Sequence, residues 1–190
     1  MSPARRRCQL VIEQLIADVN KALDAEAYMA ALSLVLTLPD ICAKAEYGST
    51  LGNKKRYIKW FDEYIGKFEK PPHYDNCPEM PYLSGEVVYQ LRCSVLHQGT
   101  PNIDKSKIIE EPCKIDHFTL IIVRKNPFDI YSDSASVGGS FYDTDLSKSS
   151  RDYSVNIRRL CLVITRSAES YYKENESKFD FFDYRIEERT

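Results

Sequence analysis

In the stretch LRCSVLHQGTP (residues 91–101), Arg92 and His97 stand five positions apart with Cys93 between them, and Gly99 and Pro101 close behind. An arginine is a permanent planar cation that can hold phosphoryl oxygens with two parallel N–H bonds. A histidine titrates near neutrality and can take or give a proton. Together they could serve a phosphodiester displaced by a neighbouring hydroxyl, which needs a proton acceptor and a fixed cation for the charge that builds on the phosphoryl oxygens. The competing account is plain: Arg92 reaches out to water and His97 caps a helix end.

On a helical wheel of about 100° per residue, Leu83, Ser84, Val87, Val88, Leu91 and Val95 share one arc. Glu86, Tyr89, Gln90, Arg92, Cys93 and His97 fall in the opposite one. The polar arc is expected to face water, a cleft or a partner. Tyr89 and Cys93 lie angularly between the pair, where Tyr89 would orient a phosphate or serve as an interface aromatic. Glu86 is either a second proton-transfer group or the ion-pair partner of a nearby arginine. Arg158, on a later helix, is a further residue able to reach a phosphate. His117 reads as a surface residue.

Metal chemistry competes. Cys93 and His97 are four apart, and His73 and Cys77 repeat that spacing, so the four could form a tetrahedral zinc site. The ligand spacing matches no common zinc module, and a chain of this size needs no metal staple. No metal and no cofactor are therefore expected.

LRCSVLHQG also resembles the R-x4-6-H motif of the HEPN superfamily, many of whose members are RNases. ALSLVLTLPDICAKAEY (residues 31–47) is similar to the second-helix region of a plasmid- and phage-associated branch of that family. The resemblance covers most of the chain. It implies a metal-independent endoribonuclease in which dimerisation sets two motifs across a shared cleft, so that two copies of Arg92 and His97 cooperate. It further implies a toxin–antitoxin or phage-defence setting, with RNA as substrate and a cognate antitoxin as partner. Cys93 stands where the family usually carries Asn or Asp. The alternative is thus a catalytically inactive HEPN-like module that binds nucleic acid or protein.

The elements that must position these residues are mostly helical. Cys8, Val11, Ile12, Leu15, Ile16 and Val19 recur at three- and four-residue steps, predicting a helix over 4–23. AEAYMAALSLVLTL is apolar all round and predicts a central helix. Pro39 either kinks it or opens the next one, which runs to Gly48. Further helices are expected over 53–65, 82–97 and 150–172, with a proline-rich loop over 66–81. HFTLIIV (117–123) and the pieces around Gly138 and Gly139 predict an antiparallel β-insertion over about 113–145. The fold class expected is mainly α: one domain over 1–190, an up-and-down bundle of four or five helices with a small β-insertion before the last. The aromatic tail from Phe179 onward is either a docking arm or a frayed end.

A net charge of −2 gives no bulk attraction to nucleic acid, so any RNA contact needs a local patch such as Arg5–Arg7, Lys54–Arg56 or Arg158–Arg159. Thirteen tyrosines offer amphipathic contact surface for an interface, here expected to be a homodimer. Six irregularly spaced cysteines read as reduced thiols in the cytoplasm. No leader and no membrane-spanning segment are expected.

Overall fold

The computed structural model describes residues 3–72, 79–123, 133–138 and 150–181. α1 (Pro3–Asp24) packs on α2 (Tyr28–Val35). α3 (Leu38–Tyr47) packs on α4 (Asn53–Phe61), which runs into a π turn (Asp62–Gly66) and a short α5 (Lys67–Glu69). α6 (Gly85–Gln98) lies against α4, and α7 (Ile157–Asn175) packs on α1, α2 and α3. The chain is mainly helical, with a small sheet before the last helix.

Pro39 opens α3, sitting in its first turn, where a missing N–H costs nothing. Against expectation, the run Tyr28–Tyr47 has the length and apolarity of a membrane span. In this structure it breaks between α2 and α3, and Ala31, Leu32, Val35, Leu36, Leu38, Cys42 and Ala43 expose no surface. Its apolar side chains fill the core alongside Tyr57, Trp60, Leu91 and Leu160.

The sheet differs from the expected insertion in extent and direction. β1 (His117–Ile121), β2 (Ser134–Gly138) and β3 (Ser150–Asn156) run in the order β1-β3-β2. β2 pairs antiparallel, but with β3, which lies outside the expected insertion, and β1 pairs parallel with β3, Phe118 standing opposite Tyr153. The last helix begins at Ile157, seven residues later than its periodicity suggests, because residues 150–156 form β3. Tyr153 and Val155 point inward at the two-residue period of a strand. Tyr153, Ile157 and Leu160 also fit helical spacing, which hid the change of period. Asn156 marks the boundary: its side chain accepts the Arg158 N–H at 3.0 Å as the N-cap of α7. Beyond α7, Phe179 is fully buried against Tyr171 and Tyr172, so the tail docks as far as it is described.

α6 starts at Gly85 rather than residue 82, since Ser84 caps it by accepting the Val87 N–H at 3.3 Å. Its first turn is pinned from α4. Asp62 Oδ1 accepts the Gly85 N–H at 2.7 Å. A Cβ at residue 85 would stand 2.6 Å from the Ile58 carbonyl oxygen, and one at residue 66 would stand 2.5 Å from Asp62 Oδ1. Two glycines therefore make the seat for one carboxyl group.

Burial pushes the Asp62 carboxyl up to about 6, helped by the negative charges of Glu110 and Glu86 and opposed by the Gly85 amide. The folded acid holds its proton more tightly than the unfolded chain does. Its contribution to stability is thus complete below about pH 4 and lost as pH rises through about 6. Asp62→Asn keeps the acceptor for Gly85 without the charge. Thermal unfolding should show this variant more stable than wild type at pH 8, by about 1 kcal/mol once partial exposure is allowed for, with the gap closing by about pH 4. A variant less stable at pH 8 would contradict the assignment.

Candidate active site

α6 is buried on more of its circumference than the wheel predicts. Gln90 and Ser94, like Glu86, are enclosed. Tyr89, Arg92, Cys93 and Leu96 are left partly open and spaced as one helical stripe, and His97 and Gln98 are exposed at the end of the helix. Of the two polar positions removed from the expected face, Glu86 is held by loop amides at residues 109 and 110, which sequence periodicity does not register.

At the end of that stripe, Arg92 and His97 meet. Arg92 Nη1 lies 3.0 Å from His97 Nε2. A guanidinium has no acceptor, so the imidazole must accept. His97 is then neutral, with its proton on Nδ1, and its Nε2 lone pair faces Arg92. The long arginine side chain and the position of His97 at the last turn before the left-handed Gly99 overcome the angular gap.

The opposite edge of Arg92 is held by Asp40, from the first turn of α3. Nε and Nη2 both donate to Asp40 Oδ2, at 2.9 and 2.8 Å. Both side chains are about one-fifth exposed. Burial works to lower the Arg92 pKa, but the Asp40 carboxylate and the Cys93 thiol outweigh it, and the guanidinium sits above its ordinary value. Asp40, Arg92 and His97 thus form a line of anion, cation and base, with His97 at its exposed end. Three guanidinium N–H groups are engaged in it, leaving one on each Nη for an incoming phosphoryl group.

Tyr89 and Cys93 complete the surroundings. Tyr89 meets the buried Tyr57 edge to face at 5.3 Å. Burial first, then bonding to the Cys93 thiol, raises its hydroxyl pKa, so it enters any reaction as a neutral donor. Tyr57, fully buried, donates to the Leu36 carbonyl at 3.2 Å and fixes the platform under Tyr89. Cys93 is a half-exposed free thiol.

Glu86 and Arg158 belong elsewhere. Glu86 Oε2 accepts the backbone N–H groups of Ile109 and Glu110 at 2.9 and 3.1 Å, tying that loop to α6. Its ion-pair neighbour is Lys54, 4.0 Å away, and not an arginine. Arg158 reaches Tyr28 Oη at 3.1 Å and stacks over that ring, while Arg159 pairs with Glu69 and Asp133. The Arg158–Arg159 patch is therefore engaged in packing α7, not presented as a free basic surface. His117 is exposed at the start of β1. His73 and Cys77 lie outside the described residues. Among the described residues no group of three or more His, Cys, Asp or Glu is arranged to hold a metal.

Asp40 is the site residue that sequence reading missed. Its only local signal is its place directly after Pro39, in a first helical turn where acids are common. Nothing local points to a partner 52 residues away. Compared with models of protein families, with curated proteins and with solved structures, the chain matches none.

The pairing predicts measurable coupling. In urea unfolding, a double-mutant cycle of Asp40→Ala and Arg92→Ala should return an interaction of about 1 kcal/mol, and additivity of the two would show that the pair contributes nothing. In nitrogen NMR of the histidine ring, Nε2 of His97 should be unprotonated at pH 8. A protonated Nε2 there would contradict the contact with Arg92.

Proposed function

We propose that the protein is a metal-independent endoribonuclease of HEPN type, acting through Arg92 and His97 at the cleft of a homodimer. The observation that carries this reading is the 3.0 Å contact between Arg92 Nη1 and His97 Nε2, which brings a fixed cation and a neutral base to one exposed spot. Substrate phosphate draws Arg92 Nη1 away from His97, which frees Nε2 to take the proton of a ribose 2′-hydroxyl as the 2′-oxygen attacks the adjacent phosphorus. Arg92 binds the phosphoryl oxygens as their charge grows. The bond to the 5′-oxygen breaks, leaving a 2′,3′-cyclic phosphate, and the departing oxygen takes a proton from the second copy's His97, which enters the reaction as the imidazolium. Asp40 positions Arg92 by fixing the plane of its fork. Tyr89 donates to the phosphate from the same stripe.

The irregular spacing of the six cysteines suits reduced thiols, and on that reading we assign the protein to the cytoplasm. The toxin–antitoxin or phage-defence setting and a cognate antitoxin follow from the motif's resemblance alone. One observation favours the alternative of a catalytically silent binding module: Arg92 already has a carboxylate partner, which a phosphate must share.

Variants decide between them. In EDTA, His97→Ala and Arg92→Ala should each lower RNA cleavage by roughly two to four orders of magnitude while leaving the circular dichroism spectrum unchanged. Arg92→Lys should fail as well, because a point-charge ammonium cannot reproduce the planar fork. Cys93→Asn should cleave as well as wild type or better. Wild type and Cys93→Asn both inert toward RNA would overturn the nuclease reading.

A further inference from the structure

A neutral imidazole offers one lone pair in the plane of its ring. In His97 that lone pair is on Nε2, and Arg92 Nη1 occupies it at 3.0 Å. The ring stands exposed at the end of α6, so the base is closed by this one contact and not by burial. While the contact stands, Nε2 cannot accept the hydrogen of an incoming hydroxyl. The side chain that is to bind a phosphate therefore also covers the base.

Arg92 has two partners of unequal strength. Asp40 is an anion and accepts both Nε and Nη2 on one carboxylate oxygen, at 2.9 and 2.8 Å. His97 is a neutral acceptor, bound through Nη1 alone. An oxyanion arriving on the Nη1–Nη2 end of the fork brings its own charge and can take two parallel N–H bonds, which outweigh a single bond to a neutral ring. Of the two partners, the neutral one gives way. Asp40 keeps the Nε–Nη2 edge and so holds the fork in place while its far end changes partner.

We propose that the Arg92–His97 contact is an autoinhibitory latch, in which the base is covered at rest and is uncovered by a tetrahedral oxyanion on Arg92, free inorganic phosphate included. The latch rests on the nuclease reading for the role of His97, and it adds the regulation of that site. The phosphate of a strand arms the base beside its own 2′-hydroxyl, and a ligand without an oxyanion leaves it covered.

The test reads the reactivity of Nε2 itself. Diethyl pyrocarbonate acylates an unprotonated imidazole nitrogen, and peptide mass spectrometry of the full chain gives the rate at His97, with the exposed His117 as internal reference. At pH 8, in a buffer without oxyanions, His97 of wild type should react about tenfold more slowly than in Arg92→Ala, the factor that one charge-assisted hydrogen bond is worth. Inorganic phosphate, titrated against sodium chloride at matched ionic strength, should accelerate His97 in wild type and leave His117 unchanged. In Arg92→Ala, where the base is already open, it should accelerate nothing. Plain occupancy of the site predicts the opposite sign, because an anion seated over a reactive group protects it. Protection of His97 by phosphate, or a constant rate across the titration, would overturn the latch. Equal rates in wild type and a folded Arg92→Ala without phosphate would overturn it too, and the wild-type titration decides where that variant does not fold. The two readings fail separately. Acceleration by phosphate in a protein that leaves RNA uncut in EDTA keeps the latch and removes the nuclease. Cleavage of RNA by a wild type in which phosphate leaves the His97 rate constant removes the latch alone.

Discussion

The ion pair between Asp40 and Arg92 ties the chemistry of this protein to its architecture. α6 crosses the interior with only a narrow stripe of side chains reaching solvent. A guanidinium on such a helix is partly desolvated and needs a charged partner to stay. Asp40 supplies it from α3, with both Arg92 Nε and Nη2 on one carboxylate oxygen. That contact sets the plane of the guanidinium and turns Nη1 toward His97. The position of α3 is set in turn by Pro39, which breaks the apolar run and opens a new helix one residue before Asp40. Core packing, helix initiation and the protonation state of one histidine are links in one chain.

Much of the fold was legible in the sequence, and the failures have physical causes. Periodicity located the helices because each buries one or more faces, and Gly48 and Gly99 mark stops where the backbone turns left-handed. It failed at Tyr153, Ile157 and Leu160, whose spacing satisfies a helix although Tyr153 belongs to a strand. It also failed on α6, where a wheel distinguishes polar from apolar but not buried from exposed. Glu86 and Gln90 are polar and buried, and Glu86 is tolerated because two loop amides satisfy it.

For the site, the local pair was readable and its surroundings were not. Arg92 and His97 announce themselves by type and spacing, and the helix end lets them touch. Asp40, the Tyr57 platform and the diversion of Arg158 to Tyr28 are contacts between residues far apart in the chain. Side chains that look alike in sequence, such as the arginines at 92, 158 and 159, are separated only by what folding brings next to them. One faces a histidine at the surface, and the other two anchor α7.

In the proposed reaction, His97 and a pre-oriented Arg92 direct a ribose 2′-oxygen at its own phosphate. The chemical ends of the products test this most directly, since they record which oxygen attacked. Mass spectrometry of a single-stranded RNA incubated with the protein in EDTA should find 2′,3′-cyclic phosphates paired with 5′-hydroxyls. Fragments ending in 3′-hydroxyls and 5′-phosphates, or RNA left intact, would contradict it.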